Sequence, residues 1–328
     1  MKKQRLVSGI QPTGKMHLGN YLGAVSNWVQ LQHTYDAYFL IVDLHALTTV
    51  YDNPAKLRED KLNLAIDLLA AGIDPEACCL YYQSDVPEHS ELHLILSMLT
   101  PLPWLERVPS YKSKLQDLQE KDLNTYGFLG YPVLQAADIM LFNAQHVPVG
   151  EDQLPHLELA REIARRFNHL YKTDFFCEPQ AQLTHFPVLP GLDGRKMSKS
   201  YGNTIPISAS EEAVTKSVMS MLTDPNRKRR YDPGNPDICP VFAYHKIYNT
   251  KDRISVINQT CKTAELGCVD CKKELAATLN ATLAEFRINR TRIANDIGEV
   301  QNILKKGAQK ARNEAAKTLQ NVRILIGL

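Results

Sequence analysis

A chain of 328 residues, 44% hydrophobic and 23% charged, carries enough apolar side chains for one large α/β domain plus a smaller one, each with its own core. No run reaches the roughly 18 apolar residues of a membrane span, and Met1-Lys-Lys-Gln-Arg-Leu-Val-Ser8 lacks an apolar export stretch, so insertion and export are not expected and a cytoplasmic location is. A net charge of only +2 argues against a general affinity for polyanions, leaving nucleic-acid contact to local basic patches.

In chain order, Arg5 to Ile10 reads as a short buried strand, and Gln11 to Lys15 holds the Pro and Gly of a turn. An apolar-periodic helix begins near Leu18 and runs through Gln32. A strand thus delivers a helix N-terminus, whose free N–H groups and positive dipole end attract phosphate. Gly19 and Gly23 leave room for a base or a backbone, while His17 and Asn20 add side-chain donors. Ala37 to Leu44 suits a central parallel strand. Asp43 and His45 then lie where α/β sheets bind ligands, although a mutually satisfied polar pair fits equally. Pro54 opens a helix to Ala71 that Gly72 stops, and Cys78 to Gln83 is the next strand. The repeated strand, helix, strand order predicts an α/β fold with a Rossmann-type doubly wound parallel sheet.

His89 to Tyr126 is mostly helical, with Lys112 and Lys114 making it locally basic; subunit packing and nucleic-acid contact both remain open there. On the following helix Tyr131, Leu134, Gln135 and Asp138 share one face, so an apolar wall carries a carboxylate that needs a partner. A donor-only N–H of a ligand and a group within the protein are both candidates. Ala144 to Gly150 is a strand leading into Gly150-Glu-Asp-Gln153 and a helix through Phe167. Acidic groups there accept from ribose hydroxyls, orient a substrate amino group, or simply partner the helix dipole.

Gly191-Leu-Asp-Gly-Arg-Lys-Met-Ser-Lys-Ser-Tyr-Gly-Asn203 is a loop whose Gly191, Gly194 and Gly202 would let it move, and whose Lys196 and Lys199 suit the charge of a phosphate group. Helices follow a boundary near 205. Asn226-Arg-Lys-Arg-Arg-Tyr231 and the basic residues from Arg287 to Arg323 are either solvated faces or phosphate contacts. Four of the seven cysteines, Cys239, Cys261, Cys268 and Cys271, are separated by 21, 6 and 2 residues. In a reducing compartment such a tetrad suggests a metal site, zinc or iron–sulfur, and spacing does not choose between them.

Ser8-Gly-Ile-Gln-Pro-Thr-Gly14 and its continuation to Asn20, Ala136-Ala-Asp-Ile139, Val149-Gly-Glu-Asp-Gln153 and Lys196-Met-Ser-Lys-Ser200, in this order, resemble the class I aminoacyl-tRNA synthetases and, over essentially the whole chain, the bacterial tryptophanyl family. The resemblance implies ATP binding by Gln11, Pro12, Thr13, Gly19, Asn20, Gly150, Glu151, Asp152, Val188, Lys196, Met197, Ser198, Lys199 and Ser200, with Mg²⁺ on the phosphates. It makes His17, Asn20, Lys196 and Lys199 the catalytic set, and Asp138, with Tyr131, Gln135 and Gly9, the tryptophan pocket. Two departures stand out. Asn20 replaces a second His of the class signature, and Gln135 stands where many members carry Met.

The implied organisation is a Rossmann catalytic domain over 1–204, with a helical insertion about 87–130 and the mobile loop at 191–203, then a helical tRNA-binding domain over 205–328. The implied partners are L-tryptophan, tRNA(Trp) and a second copy of the chain. A subgroup of the family holds a [4Fe-4S] cluster on a similar cysteine tetrad with a first interval usually one residue longer, so a cluster is expected on Cys239, Cys261, Cys268 and Cys271 in preference to Zn²⁺.

Overall fold

The computed structural model describes residues 3–109, 111, 123–183 and 189–328. Its contacts cluster into two units, one of Met1–Thr13, Ala24–His185 and Ile293–Leu328, the other of Gly14–Gly23 and Phe186–Arg292.

The first unit is built on a parallel sheet of β1 (Arg5–Ile10), β2 (Asp36–Ile41), β3 (Cys79–Tyr82), β4 (His146–Val149) and β5 (Gln180–Leu183), in the order β3-β2-β1-β4-β5. Ala37 to Ile41 is buried throughout, as a strand covered on both faces requires. Strand order reverses between β1 and β4, and α/β sheets bind ligands outside the carboxyl ends at such a point. β1 has the expected bounds. The next strand is shorter than expected because Asp43 opens helix α3 (Asp43–Val50) and its carboxylate accepts from Ser84 N at 2.9 Å and Lys61 Nζ at 2.7 Å.

The helix expected from Leu18 to Gln32 is three pieces: α1 (Leu18–Asn20), a π turn (Tyr21–Val25) and α2 (Ser26–Thr34). Trp28 of α2 stacks on Phe39 of β2 with ring centroids 4.6 Å apart. α4 (Pro54–Ala70) is capped by Asn53 and ended by Gly72 at φ +104°. α5 (Glu88–Leu99) and α6 (Leu102–Glu106) follow, and Lys112 and Lys114 lie outside the described residues. Thr125 accepts from Phe128 N at 3.1 Å and so caps α7 (Tyr126–Met140), which tolerates Pro132 inside it. α8 (Leu154–Tyr171) runs one turn past Phe167, until Lys172 turns left-handed at φ 50°.

In the second unit α9 (Glu211–Ser220), α10 (Pro240–Tyr248), α11 (Lys251–Lys262) and α12 (Cys268–Ala294) follow the lysine loop. Residues 14–23 belong with them because His17 pairs antiparallel with Pro206, while Leu18 N donates to Ile205 O and Ile207 N to Met16 O, each at 3.0 Å.

α13 (Ile297–Ile326) returns to the first unit, so the contact clustering does not follow the boundary near 205 expected from sequence. Gly307 lets it reach the sheet: a Cβ there would sit 2.1 Å from Leu80 O of β3. Ala308, Ala311, Ala315, Leu319 and Val322 continue the contact into the main core, and Arg323 pairs with both Glu91 oxygens at 2.7 Å. Among the described residues no helix is long and apolar enough to cross a membrane.

Candidate functional site

The described residues expected at the site fall into two constellations, one in each unit. In the first, the ends of β1 and β4 carry the residues expected around adenosine. Gly9 is exposed and must be glycine, since a Cβ would meet Val42 Cγ1 at 2.7 Å. Gln11 O accepts from Thr13 N at 2.9 Å across buried Pro12. Beyond β4, Glu151 and Asp152 are exposed, and the Asp152 carboxylate folds back over Gly150, where a Cβ would lie 2.7 Å from Oδ1.

The face of α7 buries Tyr131, Leu134 and Asp138 and half-buries Gln135. Asp138, 6% exposed, is held by a group no motif announced: Gln83 Nε2 lies 2.7 and 2.9 Å from its two oxygens. His89 Nδ1 is 2.7 Å from Oδ1 but too oblique for a full hydrogen bond, and the Tyr81 hydroxyl sits 3.2 Å from His89 Nε2. Burial and the Asp138 charge push the Tyr81 hydroxyl well above its usual range, keeping it neutral. The Tyr131 hydroxyl lies 3.3 Å from His156 Nε2, and its ring meets His45 edge-on at 5.3 Å. One carboxylate in an apolar wall, its orientation held by an amide, is an acceptor suited to a donor-only ligand group.

In the second unit the two signature stretches come together. His17 caps α1, its Nδ1 accepting from Asn20 N at 3.2 Å, while its own N–H donates to Asn20 Oδ1 at 3.4 Å. With Nδ1 an acceptor, the imidazole proton rests on Nε2. Burial, and then the charge of Lys199, lower the His17 pKa to about 4, so the ring donates as a neutral group. Lys199 Nζ donates to Gly14 O at 3.1 Å, across 185 residues of sequence. Lys196 is exposed, Met197 is buried and packs toward Gly19, and Ser200 lies in the 3₁₀ turn Lys199–Tyr201.

Asn203 ties this loop together. Its Oδ1 accepts from Ser198 N at 2.8 Å, and its Nδ2 donates to Asp193 Oδ1 at 2.7 Å and Lys196 O at 3.2 Å. Gly191, expected as a hinge, is required sterically, since a Cβ would meet the Asn203 amide at 2.3 Å. Gly194 and Gly202 do occupy the left-handed region, at φ +80° and +62°. Val188 lies outside the described residues.

Cys239, Cys261, Cys268 and Cys271 line one small pocket of about 20 Å³ with Arg227, Val241, Phe242 and Ile257. Burial and the neighbouring thiols push Cys271 up to about 12. Fully buried His245 places Nε2 3.3 Å from Cys271 Sγ. Among the described residues no three His, Cys, Asp or Glu side chains come together closely enough to hold a single metal ion. Beside the pocket Arg227 is committed to Leu266 O and Arg230 O, at 2.9 and 2.8 Å, whereas Lys228, Arg229 and Arg230 are exposed.

Gln83, His89 and Asn203 are the residues that sequence reasoning missed. Gln83 had one usable signal, a polar side chain at a strand's carboxyl end.

A family model described as tRNA synthetases class I (W and Y) matches residues 1–284. A tryptophan–tRNA ligase from Thermotoga maritima is 49% identical over 326 residues, 99% of each chain. One from Aquifex aeolicus is 41% identical over 395 aligned residues, covering 99% of this chain and 100% of that protein. The crystal structure of tryptophanyl-tRNA synthetase from Campylobacter jejuni, complexed with ADP and tryptophan, superposes with a TM-score of 0.89 at 36% identity, covering 99% of this chain and 100% of that one. With its strand order, its paired signature stretches and this full-length similarity, the chain belongs to the class I tRNA synthetases and, within them, to the tryptophanyl-tRNA synthetase family.

Proposed function

We infer that this chain is a tryptophan–tRNA ligase, which activates L-tryptophan with ATP to tryptophanyl-adenylate and pyrophosphate and then transfers tryptophan to tRNA(Trp). The observation that carries the reading is the joining of the two signature stretches by the hydrogen bond from Lys199 Nζ to Gly14 O. The tryptophan carboxylate attacks the α-phosphorus in line with departing pyrophosphate, so no protein nucleophile is needed. Catalysis is then positioning and charge stabilisation. Lys196 and Lys199 meet the charge growing on pyrophosphate, and His17 donates from Nε2 without adding a cation that would have to be desolvated. Gln11, Pro12, Thr13, Gly19, Asn20, Gly150, Glu151, Asp152, Val188, Met197, Ser198 and Ser200 complete the ATP contacts. Mg²⁺ brought in on the ATP phosphates would neutralise part of their charge. Asp138 accepts the indole N–H, with Tyr131, Gln135 and Gly9 around the amino acid.

The four cysteines hold an iron–sulfur cluster in this reading. Their thiols line one pocket, and thiolate tetrads are the usual ligands of such clusters. Exposed Lys228, Arg229 and Arg230 beside it meet tRNA phosphates. A homodimer would cover exposed apolar side chains of the first unit, among them Leu94, Met98, Leu102 and Tyr126, of which Met98 is 77% exposed. We place the enzyme in the cytoplasm, where its tRNA is used.

ATP–pyrophosphate exchange, with tryptophan, tyrosine and phenylalanine offered separately, tests the activation step. Exchange with tryptophan alone is expected, exchange driven by tyrosine would overturn the pocket, and none with any of them would overturn the ligase. Iron and inorganic sulfide in anaerobically purified protein support the cluster, and stoichiometric zinc without iron ends that part.

A further inference from the structure

We propose that Gln83 is a positioning residue for amino-acid selection: its amide locks the Asp138 carboxylate in the one orientation that meets a substrate N–H. The proposal rests on the reading of Asp138 as the indole acceptor. A carboxylate offers about four lone-pair directions and can turn about its bond to the chain, so a lone Asp can greet an N–H, a hydroxyl or a water. Asp138 does not have that freedom. Gln83 Nε2 sits astride both oxygens, at 2.7 and 2.9 Å, and His89 Nδ1 closes on Oδ1 at 2.7 Å.

The amide is itself held. Gln83 is 0% exposed, and its Oε1 accepts from His45 N at 3.1 Å, so turning it over would bring its NH₂ against a backbone donor and its oxygen against a carboxylate. It opens the 3₁₀ turn Gln83–Asp85 at the carboxyl end of β3, and so takes its place from the sheet. Buried polar chains of this kind act as a unit, and a half-satisfied one loses its geometry. Selectivity therefore comes from the pair, with Asp138 accepting and Gln83 aiming.

The test is pyrophosphate exchange with tryptophan and with its isostere in which sulfur replaces the indole N–H, using the full chain as wild type, Gln83→Leu, Asp138→Ala and the double variant. Wild type is expected to prefer tryptophan, and Asp138→Ala to lose that preference. Gln83→Leu should reduce the preference about tenfold to a hundredfold, the loss of a hydrogen bond to a charged group. The change should fall on the KM for tryptophan and not on the KM for the isostere, and the double variant should match Asp138→Ala alone. If Gln83→Leu does not fold, Gln83→Met, which keeps the side-chain length and removes the donors, gives the same readout. An equal fall for both substrates, or an unchanged preference, overturns the role of Gln83 while leaving Asp138 in place. A preference that survives Asp138→Ala overturns both.

Discussion

Asp138 is buried on α7 among Gln83, His89 and Tyr81, every group carried by a regular element or its immediate end. Lys199 stands in a loop turn, its ammonium on the Gly14 carbonyl, and Lys196 beside it is exposed. The two regions handle charge in opposite ways. In the proposed reading the charge that selects is desolvated and keeps its partners within the protein, because an unpaired buried carboxylate would be costly in every molecule. The cations that stabilise the reaction in that reading lie on a chain segment held by side-chain hydrogen bonds, where Lys196 is exposed to water. Selectivity and rate should therefore respond to different substitutions.

The largest effect on rate tests that separation. Lys199→Ala is expected to slow adenylate formation about 10²- to 10³-fold, as loss of one charge-stabilising donor does. Tryptophan affinity, measured by equilibrium titration, should stay unchanged, and a parallel loss of affinity would show that the two regions are not independent. Asn203→Ala attacks the loop without removing a cation. With Ser198 N, Asp193 and Lys196 O all released, single-turnover activation should fall by up to about 10²-fold, the scale of a misplaced catalytic group. An unaltered rate would mean that the loop holds its form without that amide.

On the other side of the comparison, Gly307→Ala drives a methyl into Leu80 O of β3. Overpacking of this kind costs about 1–3 kcal/mol, read as a lower denaturant midpoint. Because Gln83 follows β3 directly, discrimination against tyrosine should weaken as well, whereas the rate with saturating tryptophan should hold.

The smallest effect is a titration. The His17 pKa, about 4 when folded, lies below the ordinary value near 6.5. The unfolded chain therefore binds more protons between those values, and the ring's contribution to stability is complete above pH 6.5 and is lost as pH falls toward 4. Since burial is the larger cause and Lys199 the smaller, NMR titration of Lys199→Ala should find the midpoint raised part of the way toward 6.5. A midpoint that does not move would separate the ring from the lysine.

Some of this was legible in the residues alone, for identifiable reasons. β1 is bounded by a Pro and Gly turn, so its limits could be read directly. The shared face of Tyr131, Gln135 and Asp138 followed from helical spacing, because α7 is long and regular enough for the period to hold. The end of β2 was misread because the hydrogen bond from Ser84 N that turns Asp43 out of the strand comes from 41 residues away. Gln83 escaped notice for the same reason: a single glutamine after a strand has no pattern until α7 faces it. Gly191 was assigned freedom of motion when its need is space for Asn203, and only packing distinguishes the two.

The pairing of His17 with Pro206 also sets an order of events during synthesis. β1 and β2 are adjacent in the chain and can pair as soon as both have left the ribosome. The stretch between them waits for residues beyond 200, and β3 waits longer still for α13, the last helix in the chain. Until then the outer edge of β3 is an open template for another strand. A nascent chain stalled before α13 should accordingly be the species most dependent on a chaperone, although its central strands are already paired.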